Sequence, residues 1–124
     1  MNYNNLHTTC YIMHSDDDQT IVEDLTVGYD KVHNMIVLIE HTDYEMPWLN
    51  NVTYAVVNKH ETFRLARRLK ISMADVPGHI GDLMSDYDSI VNAGLSDVRC
   101  CFKDITEFLL DEGCHFRIVH ERGC

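Results

Sequence analysis

Residues Thr53 to Leu83, TYAVVNKHETFRLARRLKISMADVPGHIGDL, decide the fold, because the apolar pattern changes period inside them. Val52 to Val57 is mostly apolar and suits a strand. From Asn58 onward the repeat is close to 3.6. Asn58 has a side-chain oxygen able to cap a helix, and Glu61 stands three positions on, as in a capping box. Phe63, Ala66 and Leu69 then fall on one face, with Arg64, Arg67 and Arg68 on the other. Ser72 to Tyr87 is predicted to hold only a short or kinked helix, since Pro77, Gly78 and Gly81 each weaken helical structure.

Upstream of this stretch the chain reads as sheet. Thr8 to His14 alternates, placing Cys10 and Ile12 on one face and Tyr11 and Met13 on the other. Ser15 to Gln19, SDDDQ, is a charged turn, lacking the glycine and distal glutamate of an EF-hand loop. Thr20 to Val27 is a second strand, interrupted by Glu23 and Asp24 and therefore expected at an edge or half solvated. Gly28 to Asn34 has hairpin-loop composition, and the β-branched and apolar run Met35 to Ile39 is the central strand. His41 to Asn51 connects it to the fourth strand.

Downstream, Tyr87 to Leu95 reads as a connection from which Ile90 and Val91 dock on the core. Ser96 is the expected cap of a long helix with Asp97 in its first turn, and Val98, Cys101, Phe102, Ile105, Phe108 and Leu109 recur at three and four. Gly113 ends it, and Cys114 to His120 alternates as a last strand in or beside the sheet. The fold class expected is α+β: a two-layer domain, with an antiparallel sheet of about four to five strands packed against two or three helices. Residues 1–124 read as one domain, with 1–7 expected to be disordered.

Composition bounds the function. At 124 residues, 45% apolar and 24% charged, the chain can bury a core without disulfides or metal. Its longest apolar run, Met35 to Ile39, is far short of the roughly 18 residues a membrane span needs, and no leader pattern opens the chain. Five cysteines, two of them adjacent at Cys100 and Cys101, argue against a closed disulfide framework and for a reducing, cytoplasmic setting. The net charge of −10 disfavours nucleic acid as a partner. Residues 1–57 carry nine acids against the single Lys31, whereas 58–83 hold five basic groups against three acids and form the net-positive segment.

Leu65-Ala66-x-x-Leu69-Lys70-Ile71-Ser72, followed by Val76 and Ile80, resembles a helix-turn-helix motif over about a sixth of the chain. The resemblance implies a DNA-binding regulator using residues 63–83, with Arg64, Arg67, Arg68, Lys70 and His79 at the nucleic acid. Lys70 stands where that motif usually has glycine, and Pro77-Gly78 falls inside its second helix. The bland alternative is a helical hairpin on a sheet with a solvated arginine face.

The connection HTDYEMPWLNN, His41 to Asn51, holds the only tryptophan. It reads either as a lid folded over the sheet, the commoner use of such a loop, or as an interface with Tyr44, Met46 and Trp48 as rigid anchors. Neither C-x-x-C nor H-x-x-x-H spacing occurs, so no metal is expected; the residual alternative is Cys114, His120 and Cys124. No Gly-rich phosphate loop or nucleophile elbow occurs, so neither catalysis nor a cofactor is expected. Glu40, at the end of the central strand, is the one carboxylate in an unusually apolar neighbourhood. The function expected is therefore a small acidic cytoplasmic protein-interaction or regulatory module, an inhibitor-like binder of a basic protein surface. Its contacts would be Asp16, Asp17 and Asp18 with Tyr44, Met46 and Trp48. A homo-oligomer remains open, as does a small ligand-binding protein or enzyme with a pocket between sheet and helices.

Overall fold

The computed structural model describes residues 6–122. Its strands are β1 (His7–His14), β2 (Ile21–Tyr29), β3 (Met35–Asp43), β4 (Asn51–Val57) and β5 (Arg117–Arg122), and its helices are α1 (Lys59–Leu69), α2 (Val76–Leu83) and α3 (Leu95–Asp111). The strands form one antiparallel sheet in the order β1-β2-β3-β4-β5, and the helices pack on one of its faces. This is the expected two-layer α+β domain.

Strand parity assigns the layers. Met35, Val37 and Ile39 of β3 pair with Val57, Ala55 and Thr53 of β4 and face the helices. Their core partners are Leu65 and Ala66 of α1, Val76 and Ile80 of α2, and Val98, Cys101, Ile105 and Leu109 of α3. On the other face Ile36, Leu38 and Tyr54 form a smaller buried cluster, with Leu6, Val52, Val56 and Val119 packed around it. The expectation of disorder over 1–7 is corrected at its end, since Leu6 packs there and His7 opens β1; residues 1–5 lie outside the described residues.

Helix ends follow local chemistry. Asn58 Oδ1 accepts the Glu61 backbone N–H at 2.8 Å, as expected of a cap, although the Glu61 side chain reaches Arg64 instead of closing a capping box. Lys70 adopts the left-handed φ of 60° that glycine usually supplies at a helix end. Gly113, at φ 76°, ends α3 in a Schellman turn: its N–H bonds to Leu110 O and that of Cys114 to Leu109 O, both at 2.9 Å.

Five expectations are corrected. β2 is an interior strand, not an edge strand, and Glu23 is only 3% exposed on its helix-facing side. In β1 an extra residue between Tyr11 and Met13 makes a bulge, so Ile12 and Met13 both enter the core. On α1 the buried stripe is Thr62, Leu65 and Ala66, leaving Phe63 exposed beneath Arg67. α3 begins at Leu95 with Gly94 as its cap, and Asp97 Oδ2 accepts the Gly94 N–H at 2.8 Å, so Ser96 lies inside the first turn. Ile90 and Val91 are exposed, and Tyr87 docks the connection instead by donating its hydroxyl to Asp104.

Candidate interaction surface

The charged turn after β1 and the aromatic connection after β3 meet at one end of the sheet. The Tyr44 N–H donates to Thr20 O at 2.9 Å, tying the two loops together. The acidic turn is anchored from within: Ser15 is buried, its Oγ accepts the Glu23 N–H at 2.9 Å, and the Asp16 N–H reaches Ala93 O at 2.9 Å. Asp18 Oδ1 accepts the Thr20 N–H at 2.7 Å in an Asx turn. Asp16, Asp17 and Asp18 are left exposed on this pinned backbone.

The aromatic loop is equally built. Asp43 Oδ1 accepts the N–H groups of Glu45 and Met46 at 3.0 and 2.9 Å, and Asn50 Oδ1 accepts the Asp43 N–H at 2.7 Å. Pro47–Leu49 then forms a single 3-10 turn. These bonds fix the course of the loop, and its side chains face outward. Tyr44 is 67% and Trp48 68% exposed, with Met46 and Leu49 beside them nearly half exposed. The lid reading of Trp48 is thereby corrected: a residue this exposed covers neither a sheet edge nor a face.

Under this end lies an ionic cluster that sequence reasoning missed. Glu23 accepts from Arg99 through both oxygens, Nε to Oε1 at 3.2 Å and Nη2 to Oε2 at 2.9 Å, and His41 Nδ1 lies 2.7 Å from Oε2. The cluster ties β2, β3 and α3 together directly behind the two loops. Its available signal was parity, since Glu23 shares its face with Leu25, Val27 and Tyr29.

The remaining candidates do not converge. Arg64 pairs with Glu61 at 3.3 Å, Arg68 pairs with Glu112 at 3.0 Å, and Arg67 lies over the Phe63 ring. Lys70 is at the exposed α1 turn, and the His79 ring lies tilted beside that of Phe108, 6.3 Å between centroids. α2, which would have to enter a groove of DNA, is VPGHIGDL, without lysine or arginine. Cys114 is buried, while His120 Nδ1 shares a 2.6 Å hydrogen bond with Thr53 Oγ1 on the sheet edge. Cys124 lies outside the described residues, among which no group of three or more His, Cys, Asp or Glu side chains is arranged to hold a metal.

Burial pushes the thiols of Cys10, Cys101 and Cys114 up, Cys101 to about 12, so these three stay protonated near neutrality and are poor nucleophiles. Glu40 is likewise raised, by burial and by the carboxylate of Asp24 directly opposite it on β2. No helix among the described residues is long and apolar enough to cross a membrane. No family model, curated protein or solved structure matches the chain.

Proposed function

We propose that this protein is a small acidic interaction module without catalysis, which docks on a basic protein surface and blocks it in the manner of an inhibitor. The observation that carries the reading is the hydrogen bond from Tyr44 to Thr20, which joins the Asp16–Asp17–Asp18 turn and the Trp48 loop into a single surface. The two parts divide the work. Clustered carboxylates raise the rate of encounter with a positively charged partner, and large, pre-ordered aromatic side chains slow its departure. Pre-ordering matters because loops that are already hydrogen-bonded lose little further entropy on binding. Protein is favoured over DNA because the arginines of α1 are engaged by acids or by Phe63, and α2 offers Asp82 where a phosphate would lie.

The test is a photo-crosslinking amino acid placed at position 48, and separately at position 118 on β5 as a control, with the protein expressed in its native cells. Cross-links from position 48 to a protein with a basic surface, absent from position 118, support the proposal. Equal labelling from both positions, or none from position 48, overturns it.

A further inference from the structure

The sheet ends on one side at β1, whose outward backbone groups from Thr8 to His14 make no backbone hydrogen bond among the described residues. Such an edge is a template for another strand. Beside it runs the segment from Ile71 to Ala93; two depressions lie between them, and another at the His7 end is bounded also by Tyr29, His33 and Lys59. The one at the His7 end measures about 350 Å³ and shares Thr8 and Ala74 with the middle one of about 570 Å³. A third, of about 340 Å³, borders Tyr11 to His14. The depressions together follow β1 over its whole length.

The lining is acidic. Asp75 and Asp82 flank the middle depression, with Gly78 and His79 between them on α2 and Cys10 on the strand side; Asp16 and Asp88 border the Tyr11 end. Lys59 is the single lysine or arginine lining the three depressions. Asp82 and Asp88 also lie near enough to the strand for their charge to add to burial in raising the Cys10 thiol. We propose that this groove binds an extended, lysine- or arginine-bearing segment of a protein partner by strand addition to β1, its basic side chain entering between Asp75 and Asp82.

Two irregularities define how the segment is held. Thr8 has a φ of 52° within a first register shift between His7 and Cys10, and Ile12 is the extra residue of the bulge, so the regular edge is confined to the short runs Cys10–Tyr11 and Met13–His14. Runs that short supply few main-chain hydrogen bonds, which blunts the edge against indiscriminate pairing. Selection then falls on the side chains, which alternate between the groove and the opposite face of the sheet. A basic side chain meeting two carboxylates beside a main-chain pairing satisfies both demands. This surface meets the one of the proposed function at Asp16, which borders the Tyr11 end of the groove, but its middle depression is remote in sequence from the Trp48 loop and includes none of its residues.

Gly78 gives a direct test, because a Cβ added there meets nothing within 4 Å and a larger side chain has room to stand in the groove. A random nonapeptide display library is selected against the wild-type protein, and the enriched peptide is synthesised for fluorescence anisotropy and NMR. The expectation is enrichment of a lysine or arginine flanked by alternating β-formers, with nuclear Overhauser contacts from peptide backbone to Cys10–Tyr11. Binding should fall by about tenfold or more, one charge-assisted contact's worth, in Gly78→Phe, in the Asp75→Asn/Asp82→Asn pair, and when alternate peptide amides are N-methylated. Gly78→Ala and Trp48→Ala should bind as wild type, which separates a blocked groove from a damaged fold and from the other surface. Failure to enrich any peptide, binding indifferent to Gly78→Phe or to N-methylation, or contacts confined to residues 16–18 and 44–49 would overturn the proposal.

Discussion

Two glycines three residues apart on α2 are predicted to respond to alanine with opposite signs. At Gly78 the new methyl group meets open space, whereas at Gly81 it would stand 2.6 Å from Cys10 Sγ and 3.6 Å from Ile12 Cδ1. Both replacements remove the helix penalty of glycine, about 0.5–1 kcal/mol, and neither glycine has a positive φ that would oppose alanine. That gain is common to the pair and cancels in their difference. What remains is the overpacking of α2 against β1, where the half-buried Cys10 sulfur or α2 itself must give by most of an ångström, at a cost of about 1–3 kcal/mol. Gly78→Ala should therefore melt above the wild type. Gly81→Ala should melt roughly 4–12 °C below Gly78→Ala, taking about 4 °C per kcal/mol for a domain of this size. Calorimetry or circular dichroism under reducing conditions reads this directly, and Cys10→Ala in the Gly81→Ala background should recover much of the loss by removing the sulfur. Equal melting temperatures for the two variants, or no recovery in the double variant, would refute the packing of α2 on β1 described here.

Glu23→Ala leaves His41 and Arg99 without their common acceptor and should cost about 1.5–3 kcal/mol, the value of a hydrogen bond to a charged group, read from urea denaturation; Arg99→Ala leaves the buried Glu23 carboxylate with His41 alone and should destabilise as well. For Glu40 the sign follows from a folded-state pKa raised by burial and by Asp24: as pH falls from neutral through that raised value, the folded protein takes up a proton before the unfolded chain does, so this group's contribution to stability grows. Glu40→Gln should accordingly raise the stability at neutral pH, by the roughly 0.2–1 kcal/mol of a like-charge cross-strand pair, and flatten the pH profile between neutrality and the ordinary carboxyl range. Trp48→Ala should leave the melting temperature within about 0.5 kcal/mol of wild type, the range of an exposed substitution, while a loss of 3–5 kcal/mol would mark a packed aromatic.

The elements most legible in sequence were those governed by near neighbours. The apolar stripe of α3, the Asn58 cap and the Gly113 terminus each depend on residues within one or two helical turns, and the structure has them where the pattern puts them. What escaped depends on distant partners. Glu23 looked like a solvated interruption because its acceptor role is fulfilled by Arg99, 76 residues away. The bulge at Ile12 is a mismatch between β1 and β2, so the alternation of β1 alone put Met13 on the wrong face. The periodicity of α1 put Phe63 on the core face with Ala66 and Leu69, and the position of the sheet buries Leu65 there instead. At the proposed surface the residue types were legible as a charged turn and an aromatic loop. So was their grouping as one contact surface, but not the register that makes them adjacent, in which Ile21 of β2 lies opposite Asp43 of β3.

That adjacency is tested by association kinetics against the partner cross-linked through position 48, with surface plasmon resonance at two salt concentrations. If the two loops act as one surface, Asp16→Asn/Asp17→Asn/Asp18→Asn should slow association and remove most of its salt dependence with little change in dissociation. Trp48→Ala should accelerate dissociation by about tenfold or more, the loss of an interface anchor, and leave association and the melting temperature nearly unchanged. Binding rates unaffected by both variants, in proteins that melt as the wild type does, would contradict the account.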